Sequence, residues 1–297
     1  MRVIVALWSC RAVVVVGKVA SAGDLNQFLK ELDVQGTIFV VKPNWSNARD
    51  FTSAQTLDWL FSSLKGVIKV IEGYTAWRNE LNTGPKPKEV VTPSNARAKW
   101  RWIKEQDAWF LRFSGIEKVL TKHGVEYINV TEEVWSARAL ESEEVRDLVD
   151  SRYGVLTSHE MYGFVPTKIY ELRDSALISL NNSRKIEGGI SLSTKNLFGL
   201  IPDPARYGKW HGKNDSRLSR SIVEINKIYR SLFSPCYWIN EIKEKRAFVG
   251  SRNSVEADAV TAKLMGVDPE RIPYLKYAAG VFGGYNKKVL DKIPRPF

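Results

Sequence analysis

Cysteine is nearly absent from this chain of 297 residues, with only Cys10 and Cys236 present. Two thiols make no disulfide framework. They are also too few for an iron–sulfur cluster, which usually takes four, so none is expected. Such sparse cysteine fits a reduced, cytoplasmic setting. Histidine occurs three times and shows no zinc-type spacing with cysteine. There is no Gly-x-Gly-x-x-Gly fingerprint and no Gly-x-x-x-x-Gly-Lys-Ser/Thr phosphate loop. Gly208–Lys213 comes near the latter, one residue short and without the hydroxyl. The nucleophile elbow Gly-x-Ser-x-Gly and the zinc helix His-Glu-x-x-His are missing as well. No apolar run approaches the roughly 18 to 20 residues of a membrane span. Glutamine is confined to Gln27, Gln35, Gln55 and Gln106, a bias shared with heat-adapted proteins.

The chain is rich in positive charge. Lys plus Arg total 44 against 33 Asp plus Glu, a net +11. That surplus favours anionic partners: phosphorylated metabolites, nucleic acid or acidic surfaces. Hydrophobic residues at 44% support a folded core.

Strand-like and helix-like segments alternate. Val3–Leu7 and Ala12–Val16 are β-rich strings around a turn at Ser9–Arg11. Arg11 and Lys18 interrupt the apolar stretch, so strands explain it better than a secretory leader. Ser21 caps a helix over 22–32, with Asp24 at the capping-box position. Thr37–Lys42 is a continuous apolar run, as in a strand buried on both faces. A helix over 51–65 and a strand over 67–71 follow. Further strands are expected at 126–130, 176–180, 237–239 and 247–249. Helices are expected at 93–113, 131–153, 217–233, 254–265 and 273–282. This alternation predicts an α/β fold: a mostly parallel sheet with helices on both faces, in Rossmann-like layers. Residues 1–297 read as one domain, with 74–113 a basic, aromatic insertion.

In such a sheet, ligands bind outside the carboxyl ends of the strands. Polar residues recur there: Lys42 and Asn44; Glu72; Asn181, Asn182 and Lys185; Asn240 and Glu241; Arg252 and Asn253. Asparagine offers donors and an acceptor without charge, which suits orienting a ligand. Lys195 and Asn196 open a Lys-Asn-Leu-Phe-Gly string, and His211 lies in a Gly- and Lys-rich stretch. Glu256 and Asp258 begin the 254–265 helix. Between Trp100 and Arg112 cations interleave with tryptophans, a pattern that can stack bases and hold phosphates. Across 74–113 there are eight Lys/Arg against four Asp/Glu.

Several strings resemble the family catalogued as domain of unknown function 362. They are Val41-Lys42-Pro43-Asn44, Ile71-Glu72-Gly73, Ser193-Thr194-Lys195-Asn196-Leu197-Phe198-Gly199, His211, and Glu256-Ala257-Asp258-Ala259-Val260 leading to Leu264–Pro269. They span about 42 to 269 in the expected order. The resemblance implies that Lys42, Asn44, Glu72, Lys195, Asn196, His211 and Asp258 form one site. It names no reaction. Members often carry ferredoxin-like cysteine clusters, which this chain lacks. The family's usual Asp-Gly before its last helices is replaced by Asn240-Glu241.

These observations set the expectations. The first is an enzyme acting on an anionic, phosphate- or carboxylate-bearing small molecule. Lys42, Asn44, Asn196 and Arg252 bind it, while His211, Lys195 and Asp258 act on it. Glu72 and Asp258 serve as ligands of a divalent cation. The alternative is a nucleic-acid-binding protein that uses 74–113.

Overall fold

The structure is a computed structural model that describes residues 4–8, 13–186 and 189–291. Cys10 and the turn expected at Ser9–Arg11 lie outside the described residues. The strands are β1 (Ile4–Trp8), β2 (Val13–Lys18), β3 (Ile38–Pro43), β4 (Val67–Glu72), β5 (Glu126–Asn129), β6 (Ala176–Asn182), β7 (Arg184–Ile186), β8 (Gly189–Ser191), β9 (Cys236–Ile242) and β10 (Ala247–Ser251). The helices are α1 (Ala22–Glu31), α2 (Ala54–Ser63), α3 (Trp100–Phe113), α4 (Ile116–Lys122), α5 (Val130–Trp135), α6 (Ser142–Tyr153), α7 (Thr167–Tyr170), α8 (Ser193–Asn196), α9 (Leu218–Leu232), α10 (Ser254–Leu264), α11 (Pro273–Phe282) and α12 (Lys287–Asp291).

Eight strands form one sheet in the order β1-β2-β10-β9-β6-β3-β4-β5, and β7 and β8 make a separate hairpin. The pairings from β9 through β6, β3 and β4 to β5 are parallel. Those joining β1, β2, β10 and β9 are antiparallel. The fold is therefore α/β with a mostly parallel sheet. Helices cover both faces. One face packs Phe39, Val41, Val70 and Ile178 against Phe28, Leu57, Leu60 and Phe110 of α1, α2 and α3. The other packs Val40, Ile71 and Leu177 against Val149, Ile222, Ile225 and Val260 of α6, α9 and α10. A strand that alternates between two buried layers is apolar along most of its length, which accounts for Ile38–Val41 of β3 and Ala176–Ile178 of β6.

Some helices start later than their apolar pattern. Ser53 accepts from the Thr56 amide at 3.0 Å, so α2 begins at Ala54 rather than at 51. The helix expected from Pro93 begins only at Trp100, because Asn95 accepts from the Thr92 amide at 2.9 Å and turns the chain first. The 131–153 stretch is two helices, broken where Ala137 takes φ 56°. Residues 74–113 connect β4 toward β5 and pack as a third, smaller core of Tyr74, Val91, Ile103 and Ala205.

Candidate functional site

The chain leaves β3 toward β4 on one side and returns to β6 on the other. Such a switch point opens a crevice at the carboxyl ends of the strands. A cavity of about 400 Å³ lies there. Lys42 and Glu72 come from the ends of β3 and β4, Lys195 and Asn196 from α8, and Arg184 from the hairpin. Residues of the 74–91 and 204–211 segments close the opposite side. Five Lys or Arg side chains line it, Lys42, Arg49, Arg184, Lys195 and Arg206, against the single carboxylate of Glu72.

The residues expected to touch a ligand divide into two groups. The first is a buried network beneath the cavity. Lys42 Nζ donates to Glu72 Oε2 at 2.8 Å, the Pro43 carbonyl at 2.7 Å and Asn196 Oδ1 at 3.2 Å. All three ammonium donors are therefore engaged, and Lys42 is not the free anion anchor the sequence suggested. Burial draws its pKa down to about 8 against the pull of Glu72. Glu72 also accepts from the Trp45 amide at 3.1 Å and the Gly73 amide at 2.9 Å. Asn196 Nδ2 donates to the Lys42 carbonyl at 2.8 Å and Ser179 Oγ at 3.1 Å. Asn44 Nδ2 donates to Asn181 Oδ1 at 2.6 Å, and Asn181 Nδ2 donates to Asn240 Oδ1 at 3.1 Å. Asn240 in turn donates to Asp258 Oδ1 at 2.8 Å. Asn44 and Asn196 therefore join strand ends to one another at the floor of the cavity, which both also line. Amides suit this task because each both donates and accepts.

Asp258 is wholly buried at the end of that chain. It accepts from the Ser193 amide at 3.0 Å, Ser193 Oγ at 2.5 Å and the Thr194 amide at 3.0 Å. Burial pushes its carboxyl up, and these bonds oppose the rise. Asp258 thus fixes the start of α8 and, through it, Lys195. It does not line the cavity, which corrects its expected catalytic role. Glu72 lines the cavity and Asp258 does not, so the cavity does not bring them together as the expected divalent-cation pair. Among the described residues no three His, Cys, Asp or Glu side chains come together in a metal-binding group.

The second group faces the cavity with unused capacity. Among the described residues Lys195 has no hydrogen-bond or ion-pair partner. Burial lowers its pKa to about 8, helped by the Arg184 charge and opposed by Asp215. Arg206 is buried; its Nη2 holds the Gly199 carbonyl at 3.1 Å and the Tyr74 carbonyl. Its Nε has no partner. Burial lowers this guanidinium to about 10. His211 Nδ1 lies 2.7 Å from Asp215 Oδ1, and its ring meets Phe198 edge-on at 5.3 Å. Burial moves the imidazole below its usual range, against the Asp215 hydrogen bond and with the Lys195 charge. This direction favours the neutral ring, with Nδ1 engaged by Asp215 and Nε2 without a hydrogen-bond partner among the described residues.

Arg252 stands apart. It follows β10, which runs antiparallel to β9, so it lies at the opposite end of the sheet from Lys42 and Glu72. There it pairs with Asp33 at 3.1 Å and stacks on Tyr237. It is not part of the cavity. Arg184, Arg206 and Asp215 are the site residues the sequence reading missed. Asp215 had a signal, an acid four residues after His211 in a polar stretch. Arg184 follows a strand end directly. Arg206 had none beyond its place in a Pro-rich loop.

Two glycines adjoin the network. A Cβ on Gly73 would lie 2.4 Å from the Gly199 carbonyl oxygen, and one on Gly199 would lie 2.8 Å from Glu72 Oε1. The two segments meet so closely that only hydrogen fits between them. Gly73→Ala is expected to destabilise by about 1–3 kcal/mol, the ordinary cost of overpacking. Thermal melting checks this, and an unchanged midpoint would mean that the segments separate freely.

Fold and site together define an α/β protein with a cation-lined cavity at the carboxyl ends of its parallel strands. Residues 39–263 match the family described as Domain of unknown function (DUF362), and the chain belongs to that family. No curated protein and no solved structure matches it.

Proposed function

We propose that the protein is an enzyme acting on an anionic small molecule held in this cavity. The observation that carries the reading is Lys195. It is a half-buried ammonium on the cavity wall, with none of its three donors used by the described residues. A cation partly withdrawn from water and without a counter-charge favours an anion that completes it. Arg206, which also lines the cavity, adds a second cation beside the same anion.

The chemistry assigned to the site is proton transfer. Asp215 holds the Nδ1 proton of His211, and Nε2 accepts a proton from the bound anion or from water. The cations stabilise the negative charge that develops on the ligand. One experiment tests this. The purified chain is incubated with a panel of phosphorylated and carboxylated metabolites, and loss of each is followed by mass spectrometry. At least one anion is expected to be consumed, with His211→Asn slowing the reaction by on the order of 100-fold or more. Binding without consumption of any panel member would reduce the protein to a binder.

The pH dependence follows from Lys195. Its cation is present below about 8 and is lost as pH rises through that value. Affinity for sulfate, whose charge is constant, is expected to hold from pH 7 to 8 and then fall by up to about tenfold per pH unit. Calorimetric titration measures it. A flat profile to pH 10 would remove Lys195 from the anion contact.

The nucleic-acid alternative gains no support from the 74–113 segment. Trp100 donates to Glu132 at 2.7 Å and packs edge-on against Trp135. Trp109 stacks on Phe113, and Trp102 is half-buried beside Lys99. These rings are used within the fold, and the segment itself closes the cavity.

A further inference from the structure

The cavity has two chemically different sides. Cations and amides lie along the strand ends and α8. Across from them stand Trp77 and Tyr207, with Phe198 beside His211. Trp77 and Tyr207 lie 5.9 Å apart at 42° and belong to the two segments that close the cavity. The rings are held in place. Tyr207 donates its hydroxyl to Glu89 and the Val91 carbonyl, and the Ala76 amide bonds the Pro204 carbonyl at 2.9 Å. Both rings nevertheless remain only half-buried. Fixed aromatic faces that rest on the small third core and still line a pocket are a surface on which a planar group stacks.

Charge narrows the choice of anion. Lys42 is neutralised by Glu72, and Arg184 lies 3.5 Å from Asp50. Lys195, Arg206 and Arg49 have no carboxylate within ion-pair distance among the described residues. That uncompensated charge suits a dianion better than a carboxylate. Size narrows it further. A volume of about 400 Å³ is at the lower end for ligand pockets and takes one ring with its anionic group.

We propose that the ligand is an aromatic phosphate monoester, with its phosphate on Lys195 and Arg206 and its ring against Trp77 and Tyr207. This rests on the anion reading given above. The test is calorimetry on the full chain with matched pairs: phenyl phosphate against methyl phosphate, and benzoate against acetate. Phenyl phosphate is expected to bind about 5- to 100-fold more tightly than methyl phosphate, the usual range for ring stacking. Trp77→Leu is expected to erase that gap and leave methyl phosphate affinity unchanged, which also reports an intact fold. Trp77→Phe should keep part of the gap. Equal affinities for the two phosphates, both dependent on Lys195, would overturn the aromatic class and leave the anion reading standing. Benzoate binding more tightly than phenyl phosphate would overturn the phosphate assignment alone. No binding of either phosphate would overturn both proposals.

Discussion

Lys195→Met is expected to weaken inorganic phosphate binding by about 10- to 100-fold and to leave the melting temperature unchanged or slightly higher. The first part follows from losing charged hydrogen bonds, each worth about 1.5–3 kcal/mol. The second follows from burial. In the free protein the half-buried ammonium is partly withdrawn from water and has no partner among the described residues. Methionine fills similar space without a charge to desolvate. A residue that weakens the fold yet is needed for binding is a signature of a functional site. Titration calorimetry and thermal melting on the same preparation decide the matter. Unchanged phosphate affinity would reject the anchor role. A melting point lowered by several degrees would make Lys195 a structural residue instead.

The opposite pattern is expected at Glu72. Glu72→Gln leaves the Lys42 ammonium buried without its counter-charge. Breaking one side of a buried pair costs about 3–5 kcal/mol. For a domain of this size that lowers the melting temperature by on the order of 10 °C. Adding Lys42→Met removes the stranded cation, so the double variant should regain most of the loss. A double variant as unstable as the single would place the loss on Glu72's bonds to the Trp45 and Gly73 amides instead of on the ion pair.

The frame of the molecule was legible because it rests on local pattern. Buried parallel strands are apolar along their middle, and Ile38–Val41 displays that directly. The stripe of Ile222, Ile225, Ile228, Tyr229 and Leu232 marks α9 in the same way, and all five are buried. The position of the cavity was legible too, since strand ends and switch points follow from alternation. The division of labour among polar residues was not. Asn44 and Asn196 have the composition of ligand-orienting groups, yet their amides are taken up by neighbours more than 130 positions away. Satisfaction of a hydrogen bond is a tertiary property. Strand direction, in contrast, could have been read: only four residues separate Ile242 from Ala247, too few for a parallel crossover. The reversal this forces carries Arg252 to the far end of the sheet. Within the family match, the Lys-Asn-Leu-Phe-Gly string joins two roles: Lys195 faces the cavity, while Asn196 and Gly199 serve the network below.

The cap on α8 also bears on how the protein is made. Ser193 and the carboxylate that holds its amide are 65 residues apart in sequence. β2, near the amino end, joins the rest of the sheet through β10. A ribosome adds roughly 5–20 residues per second, so several seconds separate the synthesis of Lys195 from that of Asp258. During that interval the strands that frame the cavity are already made, but the turn that aims the lysine has no anchor. A nascent chain, or one cut short of Asp258, would hold the parallel strands without a working cavity. The cavity would then take its final shape only once α10 has been made.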